Sequence, residues 1–129
     1  MFQIDAMSRQ PVYEQIISQM ERFILSGILS PGEQLPSVRN LSVELTINPN
    51  TILKAYSDLD GRGLIRSVPG KGYFVCENAL EILGSMMMSR LDQLKESLAE
   101  MAMAGIAKSI ILECVENAYQ IAAERGITP

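Results

Sequence analysis

Asn48-Pro49-Asn50-Thr51 opens a helical segment near the middle of the chain, and Lys54 follows Asn50 by one turn. A carboxamide donates and accepts at once, which matches the paired acceptor and donor on the major-groove edge of adenine. Threonine offers a hydroxyl and a methyl group, and lysine reaches a base edge or a phosphate. Free backbone N–H groups at the same helix start favour phosphate. Asn48 is also well suited to cap that helix, so its amide has a competing use. Upstream, Ser37 and Arg39 occupy the first turn of another short helical segment. A cation there opposes the helix dipole, so Arg39 gains by facing an external anion or a base edge. Downstream, Arg66 and Gly70-Lys71-Gly72 put long cations at a narrow bend, a shape that suits the minor groove or its phosphate rims. The implied chemistry is hydrogen bonding and ion pairing to double-stranded nucleic acid, not bond making.

Composition limits the alternatives. The chain has 129 residues, 47% of them hydrophobic, with a net charge of -4. That length suits one or two small units. The acidity is uneven: residues 1–76 hold seven basic and seven acidic side chains, whereas residues 77–129 hold four and eight. The basic groups of the first part must therefore share a face if they are to meet phosphate. Histidine is absent, and Cys76 and Cys114 lack metal-ligand spacing, which reads as two reduced thiols in a cytoplasmic protein with no metal or cofactor. Paired carboxylates occur, but no nucleophile, base and oxyanion arrangement stands out, so an enzyme is not expected. The N-terminal residues do not resemble a secretion signal. No apolar stretch reaches the ~18 residues of a membrane span.

The elements that must position these residues follow from periodicity and punctuation. Val12, Ile16, Met20, Phe23 and Ile24 recur at helical spacing between Pro11 and Gly27. Gln34 and Leu35 suit a very short strand. Ser37 can cap a helix to about Leu45, with Val38, Leu41 and Leu45 inward and Ser42 near the surface. A tight connection leads to Asn48 and Pro49, and a helix to about Asp60 with Ile52, Leu53, Tyr56 and Leu59 facing the core. Leu64–Val68 and Tyr73–Cys76 flank a Pro-Gly turn as a hairpin. Two short helices with a brief connector form a nearly perpendicular pair whose second member enters the major groove. The expected fold is mainly α with a small β-hairpin: a winged helix-turn-helix over residues 1–76, then a two-helix region over 77–129.

These residues carry a family resemblance. Pro11-Val12-Tyr13-Glu14-Gln15-Ile16, the run from Gly27 to Arg39, Asn48-Pro49-Asn50-Thr51, the run from Tyr56 to Ile65, and Gly70-Lys71-Gly72-Tyr73-Phe74-Val75 resemble the GntR family of bacterial transcriptional regulators. The motifs fall in order over roughly residues 8–76. The Asn-Pro-Asn-Thr run and the short tail resemble the YtrA subfamily. The resemblance implies a homodimeric regulator on an inverted-repeat operator, often controlling its own gene together with an ABC transporter. It implies a contact arginine at Arg39, a reading face at Asn50, Thr51 and Lys54, and a wing tip at Gly70, Lys71 and Gly72. Many members carry arginine near the start of the recognition helix, where this chain has Pro49 and Asn50, so base contacts do not transfer one for one.

The tail reads as one long helix from Leu80 to Ala104 and a second from about Lys108 to Glu124. Leu83, Met87, Leu91, Leu94, Leu98 and Met101 form a nearly heptad stripe. Two helices cannot bury such a stripe alone, so it is expected to meet the same helices of a second chain. Met86, Met87, Met88, Met101 and Met103 serve as interface filler, or as the lining of a pocket for a small-molecule effector. The alternative to DNA binding is a winged-helix module that contacts only protein, and salt-dependent duplex binding separates the two.

Overall fold

Glycine and proline punctuate the first helix as its sequence requires. In the computed structural model, which describes residues 1–125, Pro11 sits at the N-cap of α1 (Val12–Ser26), and Gly27 closes it in the left-handed conformation at φ 80°. There follow α2 (Val38–Leu45), α3 (Pro49–Gly61), β1 (Ile65–Val68), β2 (Gly72–Val75), α4 (Ala79–Met88), α5 (Leu91–Met103) and α6 (Lys108–Arg125). The chain divides into two units, Met1–Leu83 and the residues from Gly84 onward.

In the first unit α3 is the central element, packed against α1, α2 and β1. Ile52, Ala55, Tyr56 and Leu59 of α3 are sealed against Ile16, Met20 and Ile24 of α1, Leu41 of α2, and Leu64, Ile65 and Val75 around the hairpin. Burying an aliphatic side chain of this size stabilises by about 1.5–3 kcal/mol, so this shared cluster holds the unit together. Strands β1 and β2 are antiparallel, pairing Ile65 with Val75 and Val68 with Gly72. The short strand expected at Gln34 and Leu35 is a single bridge, Gln34 to Phe74, extended by Leu35 N–H donating to Tyr73 O at 2.8 Å.

Several side chains lie elsewhere than their spacing suggests. Leu53, expected in the core, is 44% exposed. Ser42, expected near the surface, is 8% exposed, because its hydroxyl donates to Ile47 O and ties down the connector before α3. The N-terminal segment is fixed to α1: Phe2 packs edge-on against Phe23, with ring centroids 5.1 Å apart. The amide of Gln15 accepts from Asp5 N–H and donates to the Asp5 and Gln10 carbonyls.

The first unit extends past Cys76 because Ala79 and Leu83 are fully buried in it. Leu83, placed by its spacing in the intermolecular stripe, is thus sealed within its own chain. The single helix expected over Leu80–Ala104 is instead two, α4 and α5. The Ser89 hydroxyl donates to Met86 O, and Arg90 N–H bonds the carbonyl three residues back, Met87, at 2.9 Å. A serine that bonds back into its own turn competes with the regular ladder and lets the helix stop.

In the second unit, α5 and α6 leave most of their large apolar side chains exposed. Leu91, Leu94 and Met101 are 50%, 53% and 42% exposed. No helix among the described residues is long and apolar enough to cross a membrane.

Candidate nucleic-acid interface

The approach to α3 is built from two side-chain caps. Ser37 Oγ accepts from Asn40 N–H at 3.0 Å and starts α2. Asn48 Oδ1 accepts from Asn50 N–H at 2.8 Å and starts α3, with Pro49 in the first turn. Each cap satisfies a backbone donor that the helix cannot. Asn48 and Ser37 therefore act first as caps; Asn48 keeps its NH2 group for an outside partner. Between the helices Thr46 adopts φ 55°, and Ile47 N–H bonds Ser42 O at 3.0 Å. The buried Tyr56 hydroxyl donates to Pro36 O at 2.7 Å, linking the middle of α3 to the entrance of α2. Burial pushes the Tyr56 phenol well above its ordinary value, with neighbouring Tyr73 adding to the shift.

The outward face of α3 is set by the inward one. With Ile52, Ala55, Tyr56 and Leu59 buried, Asn50, Leu53, Lys54 and Ser57 emerge at spacings of three and four and are all exposed. Thr51 is half-buried on the flank. The Lys54 ammonium rests 3.9 Å from the centroid of the Tyr13 ring of α1. Such contacts contribute about 0.5–1 kcal/mol at exposed sites, so little opposes its swing toward a phosphate.

The hairpin tip is a defined turn. Lys71 N–H bonds Val68 O at 2.9 Å, and Gly70, third in the turn, has φ 77°. This is a type II turn, which wants proline second and glycine third, and Pro69-Gly70 supplies both. Gly72 follows at φ 118°, and a Cβ there would lie 3.1 Å from Gln34 Nε2. That amide donates to Lys71 O at 2.8 Å and pins the tip from behind. Arg66, paired across the hairpin with Phe74, has its guanidinium 5.8 Å from that ring. It also lowers the Cys76 thiol pKa slightly, against the larger upward push of burial.

Arg39, Asn50, Lys54, Arg66 and Lys71 are all exposed. Among the described residues, the ion pairs involve only Arg62, with Glu21 at 3.3 Å and with Asp58 at 2.7 Å. The cations singled out from the sequence thus have no carboxylate partner there, and each is open to an external anion. Gln34, Leu53 and Ser57 were not singled out. Position on the outer arc of α3 is the signal that finds Ser57; Leu53 reads as core by its spacing, and Gln34 had no signal, since its role depends on the folded hairpin.

Residues 12–75 match the family described as bacterial regulatory proteins, gntR family. Over 119 residues the chain is 44% identical to the HTH-type transcriptional repressor YtrA of Bacillus subtilis (strain 168), covering 91% of each protein. The chain belongs to the GntR family. A GntR-family chain of this kind is a winged helix-turn-helix, DNA-binding transcriptional regulator, with close kinship to the YtrA subfamily. A transcriptional regulator from Oenococcus oeni has a similar crystal structure, with a TM-score of 0.72 at 32% identity over 90% of this chain and 97% of that one. The AraR DNA-binding domain, crystallised in complex with operator ORX1, gives 0.52 at 30% identity over 57% of this chain and 92% of that chain. Residues 12–75, the stretch that matches the family, carry Arg39, α3 and the hairpin. No group of three or more His, Cys, Asp or Glu side chains is placed to hold a metal ion among the described residues.

Proposed function

We propose that this regulator is a repressor that binds an inverted-repeat operator as a homodimer and controls its own operon, ABC transporter genes included. The repressor reading is supported by 44% identity to the B. subtilis YtrA repressor along 91% of both chains. In this reading Asn50, Lys54 and the edge group Thr51 read bases, Arg39 and the free NH2 of Asn48 support them, and Arg66 and Lys71 grip the backbone beside the wing. Ser37, Gly70 and Gly72 shape the loops that bring these groups forward.

The observation that carries the dimer is the exposed hydrocarbon of α5 and α6, with Leu91, Leu94 and Met101 open and Leu98 half-buried. A second copy covers that surface and doubles the phosphate contacts on a two-fold site. Met87, Arg90, Leu91, Gln93, Leu94 and Ser97 line an open groove of about 490 Å³ in the same unit. It is the place where a small-molecule effector can influence association.

The test combines two measurements. Sedimentation gives a dimer for the parent chain and a monomer for Leu94→Glu, because a carboxylate at that position cannot be buried unpaired. Unchanged mass for the variant removes Leu94 from the interface. Duplex binding is measured in parallel with a pool of random sequence. A preferred two-fold sequence is expected, and Asn50→Ala reduces its discrimination by about 1–3 kcal/mol. Binding with no sequence preference overturns the operator reading and favours a module that recognises protein.

A further inference from the structure

The outer face of α3 is polar except for Leu53. This leucine is 44% exposed, and its exposed neighbours at helical spacing are Asn50, Lys54 and Ser57. Ile52, Ala55, Tyr56 and Leu59 of the same helix are fully buried, whereas Leu53 is only partly covered. On a helix face that enters the major groove, such a leucine would meet base edges. In that groove the base edges present donors and acceptors, with one hydrocarbon group among them, the C5-methyl of thymine.

We propose that Leu53 is a specificity residue that selects thymine through this methyl group. The inference rests on α3 being the reading helix. Asn50 lies one turn before Leu53 and Ser57 one turn after it, so the selected thymine falls inside the stretch of base pairs those polar groups reach. Lys54, beside it, is drawn over Tyr13 at 3.9 Å in the free protein. Leu53 itself stays partly open beside it. Closing a methyl group against a leucine removes hydrocarbon from water on both sides, and the transfer of one such group corresponds to a factor of about three to five in affinity.

The experiment uses the full chain and a duplex recovered by it from a randomised pool. Each thymine of that duplex is replaced in turn by uracil, which deletes the methyl group and keeps every hydrogen-bonding atom. The expected result is one thymine per half-site whose replacement weakens the parent about three- to fivefold, and whose replacement leaves Leu53→Ala unchanged. A second variant, Leu53→Met, retains apolar contact and keeps part of the methyl dependence. If every uracil substitution acts equally on parent and Leu53→Ala, the thymine assignment is overturned while the reading role of α3 stands. If the pool yields no preferred sequence, α3 is not a reading helix and the assignment falls with it.

Discussion

Truncation of Lys71 to alanine tests whether the wing tip grips phosphate. The side chain is exposed at the end of the hairpin, while its backbone is held twice, by N–H to Val68 O at 2.9 Å and by its carbonyl to Gln34 Nε2 at 2.8 Å. Neither bond involves atoms beyond Cβ, so Lys71→Ala removes a charge and leaves the turn in place. Each phosphate neutralised contributes about 0.9 to the slope of log affinity against log salt. A dimer presents two tips, so the slope becomes shallower by about 1.8. Between about 50 and 200 mM salt the parent's advantage over the variant therefore shrinks by roughly twelvefold. Lys71→Arg restores the slope, since a guanidinium also meets phosphate. Fluorescence anisotropy on a labelled duplex, repeated across salt concentrations, gives these lines directly. Parallel lines for parent and alanine variant would refute phosphate contact by Lys71. A change near 0.9 would mean that only one tip engages each duplex.

Other outcomes follow from the backbone and the buried polar groups. Gly72→Ala places a Cβ 3.1 Å from Gln34 Nε2 at φ 118°, so urea unfolding should show a loss of about 1–3 kcal/mol; Gly70→Ala, at φ 77° in open space, should lose less, and the reverse order would sink the account of the pinned tip. Tyr56→Phe removes the donor to Pro36 O and should cost about 1–3 kcal/mol by the same assay. The phenol binds its proton more tightly in the folded state, its value being raised above 10.0 by burial. Stability should therefore be intact below about pH 10 and fall as pH rises beyond it; that alkaline loss should be flatter in Tyr56→Phe, and an unchanged profile would show that another group titrates.

Capped helices and the Pro-Gly turn were legible in the sequence because their signals are local. Ser37, Asn48 and Pro49 specify a helix start through a single side chain each, and Pro69-Gly70 specifies a turn through two backbone angles. Leu53 was not legible. Spacing of three and four places it on an apolar arc with Ile52 and Tyr56, and only the packing of α1, α2 and β1 around α3 decides which edge of that arc is covered. Ser42 was misplaced for the converse reason: a hydroxyl that finds a backbone carbonyl can be buried, and the carbonyl of Ile47 comes near only when the connector folds. The break at Ser89 was hidden by an unbroken apolar spacing across it. Of the interface itself, the residue types were readable, while the support given by Gln34 and Tyr13 depends on contacts far apart along the chain.

The bond from Tyr56 to Pro36 ties α3 to the entrance of α2 through a group on the inward side of α3. Asn50, Leu53, Lys54 and Ser57 lie exposed on the other side and take no part in that bond. On the reading proposed above, duplicated copies of such a regulator can exchange these four letters and acquire new targets while the inward side keeps the fold. Rewiring a genetic circuit then needs few substitutions.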